Sequence, residues 1–326
     1  MCEKKFELHV PFQYERFRFN VEVQTPIKIP LRRRPILRDA ICAVFKQIFC
    51  VKRVSDCDGC DFIGKCSYIA VFETQPFEDD PDVRKFSKPP RPYVVNPPLE
   101  GTTFDSQSMV CFDLVLFGAT IDLLPSFVLT VITLGRKGIG TGKGRYKLIG
   151  VDLIRNGKAI PLYDPETRSL ADFSREKKVL APNGGSIQSL YIQFLTPLRL
   201  KKESKLLREF QLPVFMERLS DRMAHLTKYY GSGSIDGPSI VTVSSGVSIH
   251  RPHRNIWLEW ERLGRERIGM KFGGIVGTVV LKGNLTPLIP YLKLAEEINV
   301  GLETVFGLGR IRISEESFSL QPAETA

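Results

Sequence analysis

Two histidines near the middle of the second half lie in the pattern best suited to chemistry on a phosphate. The segment Ile249-His-Arg-Pro-His-Arg254 alternates histidine with arginine just before a predicted strand. Imidazole transfers protons near neutral pH, and guanidinium groups bind phosphate oxygens. His250 and His253 are therefore candidate catalytic residues, although a solvated polar loop has the same pattern. His9, on the first predicted strand, is a further candidate.

Two glycine-rich loops have the composition of phosphate-binding loops. The first, Gly135 to Arg145, combines five glycines with four cations, and the second, Gly301 to Arg310, is less basic. Glycine lets the backbone approach a phosphate closely, and lysine and arginine add charge without base specificity. Mobile surface loops have the same composition. The first loop is not a Walker A motif, because the Gly-Lys-Ser/Thr ending is absent.

Basic residues elsewhere extend this prediction to a longer binding surface. Several precede or begin the first predicted helix, and others follow the two histidines or adjoin the second loop. The predicted RNA-binding residues are Arg32, Arg33, Arg34, Arg38, Arg136, Lys137, Lys143, Arg145, Arg251, Arg254, Lys271 and Arg310.

A cysteine cluster predicts a metal site. Cys50, Cys57, Cys60 and Cys66 have the spacing C-x6-C-x2-C-x5-C, and the inner C-x2-C is a common metal-binding knuckle. Four thiolates can close a structural zinc site, and an iron–sulfur cluster takes the same ligands. Reduced, unliganded cysteines are the remaining alternative. Nothing nearby suggests an activated water, so we expect a structural role and no metal cofactor for catalysis.

The elements that must position these residues form an internal repeat. Each half reads as strand, helix, strand, strand, helix, strand, and each ends in a glycine-rich loop, Gly-Arg and a strand. This order is that of a ferredoxin-like domain, whose sheet often binds single-stranded RNA. We predict an α+β fold of tandem ferredoxin-like (RRM-like) domains, with the cysteine-rich loop 50–66 inserted in the first. The expected divisions are 1–155, a connecting segment 156–186, and 187–326.

Bulk properties are compatible with an RNA partner. The formal net charge is +10, which favours a polyanionic partner, either nucleic acid or an anionic membrane surface. No targeting segment is recognised at the N-terminus. The longest apolar stretch, Met109 to Leu134, contains two aspartates and a proline and reads as a strand and a core helix. We therefore expect a soluble, cytoplasmic protein with no membrane partner.

The sequence resembles the CRISPR repeat-cleaving endoribonucleases of the RAMP superfamily. The resemblance rests on Gly301 to Arg310 preceded by Lys271-Phe-Gly-Gly-Ile-Val-Gly277, on the first glycine-rich loop, and on two segments of the N-terminal part. Those segments are Leu37-Arg-Asp-Ala-Ile-Cys-Ala-Val-Phe45 and Cys57-Asp-Gly-Cys60 with Cys66-Ser-Tyr-Ile-Ala-Val-Phe-Glu73.

The resemblance implies cleavage of CRISPR precursor RNA within each repeat, without a metal ion. The RNA 2′-hydroxyl attacks the adjacent phosphate, and a general acid, usually histidine, protonates the leaving oxygen. The family's histidine often lies on the first helix, but this helix has none, so that role cannot be carried over. The alternative is a non-catalytic RAMP subunit that binds guide RNA beside other CRISPR effector subunits. A third interpretation is a general basic RNA-binding protein.

Overall fold

The first half of the chain forms one large sheet with helices packed on one face. The computed structural model describes residues 7–53, 57–75, 89–182, 185–233, 237–250, 255–263 and 269–318. Its strands are β1 (Leu8–His9), β2 (Tyr14–Val23), β3 (Ile27–Lys28), β4 (Tyr93–Asn96), β5 (Thr103–Phe104), β6 (Met109–Phe117), β7 (Tyr146–Arg155), β8 (Lys158–Asp164), β9 (Ser169–Leu170) and β10 (Val179–Leu180). Its helices are α1 (Ile36–Phe49), α2 (Ser67–Phe72) and α3 (Leu124–Lys137), with 3-10 turns at Leu31–Arg33 and Gly118–Leu123.

The apolar spacing of α1 explains why this segment is a core helix. Leu37, Ile41, Val44 and Phe45 are buried, which is one stripe of a helix with 3.6 residues per turn. Pro35 precedes the helix with helical backbone angles, and Cys50 ends it in an extended conformation. The sequence predicts a helix from Arg34 to Cys50, and the structure confirms it.

The first sheet has the strand order of a ferredoxin-like domain. Its order is β4-β6-β2-β7-β8-β9, and the β2–β6, β2–β7 and β4–β6 pairs are antiparallel. Along β2, Phe17 and Phe19 enter the core while Arg16 and Arg18 lie on the opposite face. The strands β8 and β9 extend this sheet into the predicted connecting segment, and the boundary at 155 stays a prediction.

The second half repeats the pattern with a split strand. Its strands are β11 (Ser189–Leu198), β12 (Lys201–Lys202), β13 (Lys205–Leu206), β14 (Ser248–His250), β15 (Ile256–Leu263), β16 (Gly269–Lys282) and β17 (Ile311–Ser314). The sheet order is β14-β16-β11-β17, and β15 pairs with the first part of β16 while β14 pairs with its end. The helices are α4 (Leu212–Tyr230), α5 (Gly237–Val243) and α6 (Ile289–Ile298), with 3-10 turns at Thr286–Leu288 and Thr304–Phe306.

The two halves are packed against each other through apolar side chains. The core of the second half includes Phe12, Tyr14, Val94, Val115 and Phe117, which all belong to the first half. A separate core of the first half lies between its sheet and the helices α1, α2 and α3. Because both halves contribute to one core, their relative position is fixed by burial of apolar surface.

The helix α3 illustrates how an apolar stretch serves the core. The segment Gly118–Lys137 is long and apolar enough to cross a membrane by length and composition alone. Of its most apolar 18-residue stretch, 56% is buried inside the fold. Phe127, Val131 and Leu134 are among the buried residues. This arrangement agrees with the predicted core helix.

Candidate nucleic-acid interface

The first glycine-rich loop is fixed to the segment that precedes α1. The amide of Thr141 donates to the carbonyl of Lys28 at 2.9 Å. A Cβ on Gly140 would lie 2.4 Å from that same carbonyl oxygen, and a Cβ on Gly144 would lie 2.2 Å from the carbonyl oxygen of Pro26. These glycines are required because any side chain would separate the loop from β3.

The cations of this loop lie at the surface. Arg136, Lys137, Lys143 and Arg145 are exposed, as are Lys28, Arg32 and Arg33 in the segment that the loop contacts or that follows it. Lys137 donates to Gln47 of α1. None of these cations forms an ion pair with a carboxylate of the described residues. We call the set Lys28, Arg32, Arg33, Arg136, Lys137, Lys143 and Arg145 the first-loop surface.

Arg34 lies apart from this surface because its side chain points inward. It is only 6% exposed, and its Nη2 donates to the carbonyl of Leu99 at 2.7 Å. Burial lowers the pKa of Arg34 to about 10. The structure thus places this predicted RNA-binding residue among backbone carbonyls, where it ties the start of α1 to the segment before β5.

The second glycine-rich loop packs against the first half. A Cβ on Gly307 would lie 2.5 Å from Cδ of Pro97 and 2.6 Å from the carbonyl oxygen of Val95. Asn299, just before the loop, donates from Nδ2 to Oδ1 of Asn96 at 2.9 Å, and both side chains are buried. The loop therefore lies in the contact between the two halves.

Arg310, the cation that closes the second loop, also belongs to this contact. Its Nη2 donates to Oδ2 of Asp113 at 2.9 Å, and its side chain is 13% exposed. Arg16 and Arg18 donate to the same carboxylate at 2.7 Å and 2.9 Å. Burial by itself raises the pKa of Asp113, but Arg16, Arg18 and Arg310 outweigh it and lower that pKa. Burial lowers the pKa of Arg310. Attraction to Asp113 raises that pKa, and repulsion by Arg16 and Arg18 lowers it.

The start of α1 is covered by the second half. The guanidinium of Arg38 lies 5.1 Å from the ring centroid of Phe306 in the second loop, and its Nε donates to the hydroxyl of Tyr93 at 2.7 Å. Asp39 accepts from Nε of Arg262 on β15, at 2.9 Å and 3.1 Å to its two oxygens. Arg38, a predicted RNA-binding residue, is therefore held between protein groups.

The predicted catalytic histidines lie at strand ends. His9 is exposed on β1, where it pairs with Val179, and His250 is exposed at the end of β14, where it pairs with Val280. His253, with its neighbours Arg251 and Arg254, lies outside the described residues. Lys271 is exposed on β16, with its Nζ 3.7 Å from Glu259. Among the described residues, no hydrogen bond or ion pair joins His9 or His250 to the first-loop surface.

The cysteines line the edge of the first core. Cys57 is buried, Cys60 and Cys66 pack against that core, and the amide of Cys60 donates to the carbonyl of Cys57 in a tight turn. Burial raises the pKa of the Cys57 thiol against the opposing effect of Lys46. In the part of the chain that the structure describes, no group of three or more His, Cys, Asp or Glu side chains is placed to hold a metal ion. The structure does not support the predicted metal site at Cys50, Cys57, Cys60 and Cys66, and zinc or an iron–sulfur cluster stays a prediction of the sequence.

The groups that join the halves were not predicted from the sequence. Asp113, Asn96 and Arg16 lie on predicted strands, and their role depends on partners about 200 residues away or across the sheet. One signal was available, because Arg16 and Arg18 alternate with Phe17 and Phe19 and thus place charge on one sheet face.

Two ferredoxin-like halves, each closed by a glycine-rich loop, form the tandem fold that RAMP-type proteins have. Comparison with known families agrees with this class. Residues 192–311 match the family model of the CRISPR-associated endoribonuclease Cas6, and residues 12–174, half of the chain, match the AF_1859_N model, described as an N-terminal domain. The chain therefore belongs to the AF_1859_N family through its N-terminal half, and its second half is similar to the Cas6 endoribonuclease family.

Individual relatives are distant. An uncharacterized protein of Archaeoglobus fulgidus is 23% identical over 288 residues, which cover 85% of this chain and 87% of that protein. A product complex of Thermus thermophilus Cas6 has a TM-score of 0.51 at 14% identity, over 92% of this chain and 98% of that one. A partial Cas6-RT-Cas1–Cas2 complex has a TM-score of 0.56 at 12% identity, over 97% of this chain and 48% of that one. At these identities the structures establish the shared fold.

Proposed function

We propose that this chain binds CRISPR precursor RNA at its repeats and cleaves it to give guide RNAs. The observation that carries the proposal is the first-loop surface, where exposed cations surround a backbone fixed by glycines. Such a surface suits a phosphodiester backbone, because unpaired lysines and arginines gain by releasing the counterions of RNA. The Cas6 family match supports the repeat as the substrate.

The proposed reaction is a metal-independent phosphoryl transfer within the RNA. The 2′-oxygen forms a bond to the adjacent phosphorus, and the bond from phosphorus to the 5′-oxygen breaks. The 2′-hydroxyl proton leaves to a base, and a general acid protonates the departing 5′-oxygen. The products are a cyclic phosphate and a 5′-hydroxyl. His250 and His253 are the first candidates for these proton transfers, and His9 is the third.

A labelled repeat RNA tests the proposal directly. The purified chain is incubated with the RNA in EDTA, and we expect a cut product that ends in a cyclic phosphate. His250→Ala and His253→Ala are then measured singly and together under single-turnover conditions, with His9→Ala in parallel. Unchanged rates in the double variant would exclude this pair as the proton-transfer groups.

A non-catalytic guide-RNA subunit is the second candidate function. It is favoured by the start of α1, which lacks a histidine and is covered by Phe306 and Arg262. In that case the chain binds the repeat RNA and leaves it intact, and its partners are the RNA and other subunits of a CRISPR complex. We propose a cytoplasmic location for either function. Binding without cleavage in the same assay would select this candidate.

A further inference from the structure

A second basic surface lies on a short hairpin of the second half. The strands β12 and β13 pair Lys201 with Leu206 and Lys202 with Lys205, and the amide of Leu207 donates to the carbonyl of Leu200 at 2.9 Å. We call residues 199–208 the basic hairpin. Leu200 is buried in the core, and side chains alternate between the two faces of a strand. Arg199, Lys201 and Arg208 therefore share the face of the hairpin that is turned away from Leu200.

Arg208 is stacked on an aromatic ring of the neighbouring sheet. Its guanidinium carbon lies 3.8 Å from the ring centroid of Trp257 on β15. A Cβ on Gly273 would lie 2.5 Å from the same indole, so the ring lies flat on the backbone of β16. Arg208 thus lies against an indole that is itself held on Gly273, and the Arg208 side chain is exposed.

The stack orients Arg208 without using its hydrogen-bond donors. An arginine that stacks through its plane keeps its N–H groups directed outward at the edge, where they can bind a phosphate in a bidentate way. Among the described residues, no hydrogen bond or ion pair satisfies those donors. The indole Nε1 donates to Oε1 of Glu259 at 3.5 Å.

Further cations surround this stack. Arg199 donates to the carbonyl of Gly273 at 3.1 Å, and Lys271 is exposed on the adjacent part of β16. The acidic residues of this region are Glu203 in the hairpin, Glu209 directly after it, and Glu259 and Glu261 on β15, with Glu259 3.7 Å from the Nζ of Lys271. The cations outnumber these four carboxylates, so the surface attracts an anionic ligand; they are Arg199, Lys201, Lys202, Lys205, Arg208 and Lys271.

We infer that the basic hairpin and the Arg208–Trp257 stack form a second RNA-binding site that holds phosphates of the same RNA bound by the first-loop surface. This inference rests on the proposed function. The ligand is a phosphodiester backbone, because Lys201, Arg208 and Lys271 are cationic and exposed. Each half of the chain would then supply one basic surface to a single RNA.

The test is binding of a fluorescent CRISPR repeat RNA, measured by anisotropy between about 50 and 300 mM salt. The variant Lys201→Gln/Arg208→Gln removes two exposed cations, and we expect roughly tenfold weaker binding and a salt slope reduced by about two. Arg208→Lys keeps the charge but loses the planar stack. It should weaken binding while leaving the salt slope nearly unchanged.

Two comparisons make the result decisive. Lys158→Gln/Lys177→Gln removes two exposed lysines of the first half and should bind as the unaltered chain does. If Lys201→Gln/Arg208→Gln also binds RNA with unaltered affinity and salt slope, the inference is overturned. Weaker RNA binding by Lys143→Gln/Arg145→Gln would in that case leave the proposed function standing. Absence of RNA binding by the unaltered chain would overturn both.

Discussion

The two glycine-rich loops occupy matching places in the two halves, but they have different neighbours. The first is fixed to β3 of its own half, and its cations Lys143 and Arg145 are exposed. The second presses Gly307 against Val95 and Pro97 of the other half, and its cation Arg310 is largely buried and paired with Asp113. The same backbone motif thus serves a binding surface in one copy and a contact between the halves in the other.

The largest expected effect comes from adding one methyl group to the second loop. Gly307→Ala places a Cβ 2.5 Å from Pro97 at a backbone φ of +80°. We expect a loss of about 3 kcal/mol in the free energy of unfolding, from overpacking and left-handed strain together. Urea unfolding measures it.

The matched control is Gly142→Ala in the first loop. Its φ is +85°, but nothing lies within 4 Å of the added Cβ. We expect only the backbone strain to lower its free energy of unfolding, by about 1 kcal/mol. Equal losses in the two variants would contradict the difference between the loops.

The second effect concerns Asp113, the carboxylate that accepts from Arg310 of the second half and from Arg16 and Arg18 of the first. Asp113→Asn leaves Arg310 largely buried without a counter-charge and leaves Arg16 with Glu297 alone, and we expect a loss of about 3 kcal/mol in the free energy of unfolding. The control Asp122→Asn removes an exposed partner of Arg175 and should cost less than about 0.5 kcal/mol. Thermal unfolding of both variants checks this, and similar Tm shifts would show that the buried network contributes little.

The third effect is a pH dependence of the strand that follows the second loop. Glu296 accepts from the amide of Ile313 at 2.8 Å, and burial raises its pKa from 4.5 to about 7. An acid whose pKa is raised by folding destabilises the fold once it ionises, so its cost grows between pH 4.5 and about 7.

Glu296→Gln removes that cost and keeps an acceptor for Ile313. We compare the free energy of unfolding of this variant with that of the unaltered chain. The difference in favour of the variant should be larger at pH 8 than at pH 5, by on the order of 2 kcal/mol. Urea unfolding at the two pH values measures the gain, with the exposed Glu316→Gln as control. A stability difference that is the same at both pH values would refute the prediction.

The smallest effect on free energy is expected at the first loop, and it concerns binding. Lys143→Gln/Arg145→Gln should weaken repeat RNA binding roughly tenfold, about 1.4 kcal/mol, and lower the salt slope by about two. Unfolding should be unchanged, because both side chains are exposed. Undiminished binding would remove the first-loop surface from the RNA path.

The sequence predicted the local elements well because their signals are local. The helix Ile36–Phe49 follows from apolar spacing, and the strands Tyr93–Asn96 and Ile311–Ser314 follow from short β-rich segments between breakers. The sequence also predicts one long helix from Leu206 to Tyr230, but the helix begins at Leu212 because Lys205 and Leu206 pair with β12. That pairing depends on a hairpin partner, which propensity alone does not reveal.

By itself, the sequence determined the repeat of two α+β halves, the surplus of basic charge and the place of each glycine-rich loop, because these depend on composition and order along the chain. Only the tertiary structure decided which arginines are available to a ligand. Arg34, Arg38 and Arg310 are surrounded by protein groups, while Arg145 is not. The physical reason is that a cation in either loop has the same sequence signature, and its partner, a distant aspartate or solvent, is chosen when the halves pack.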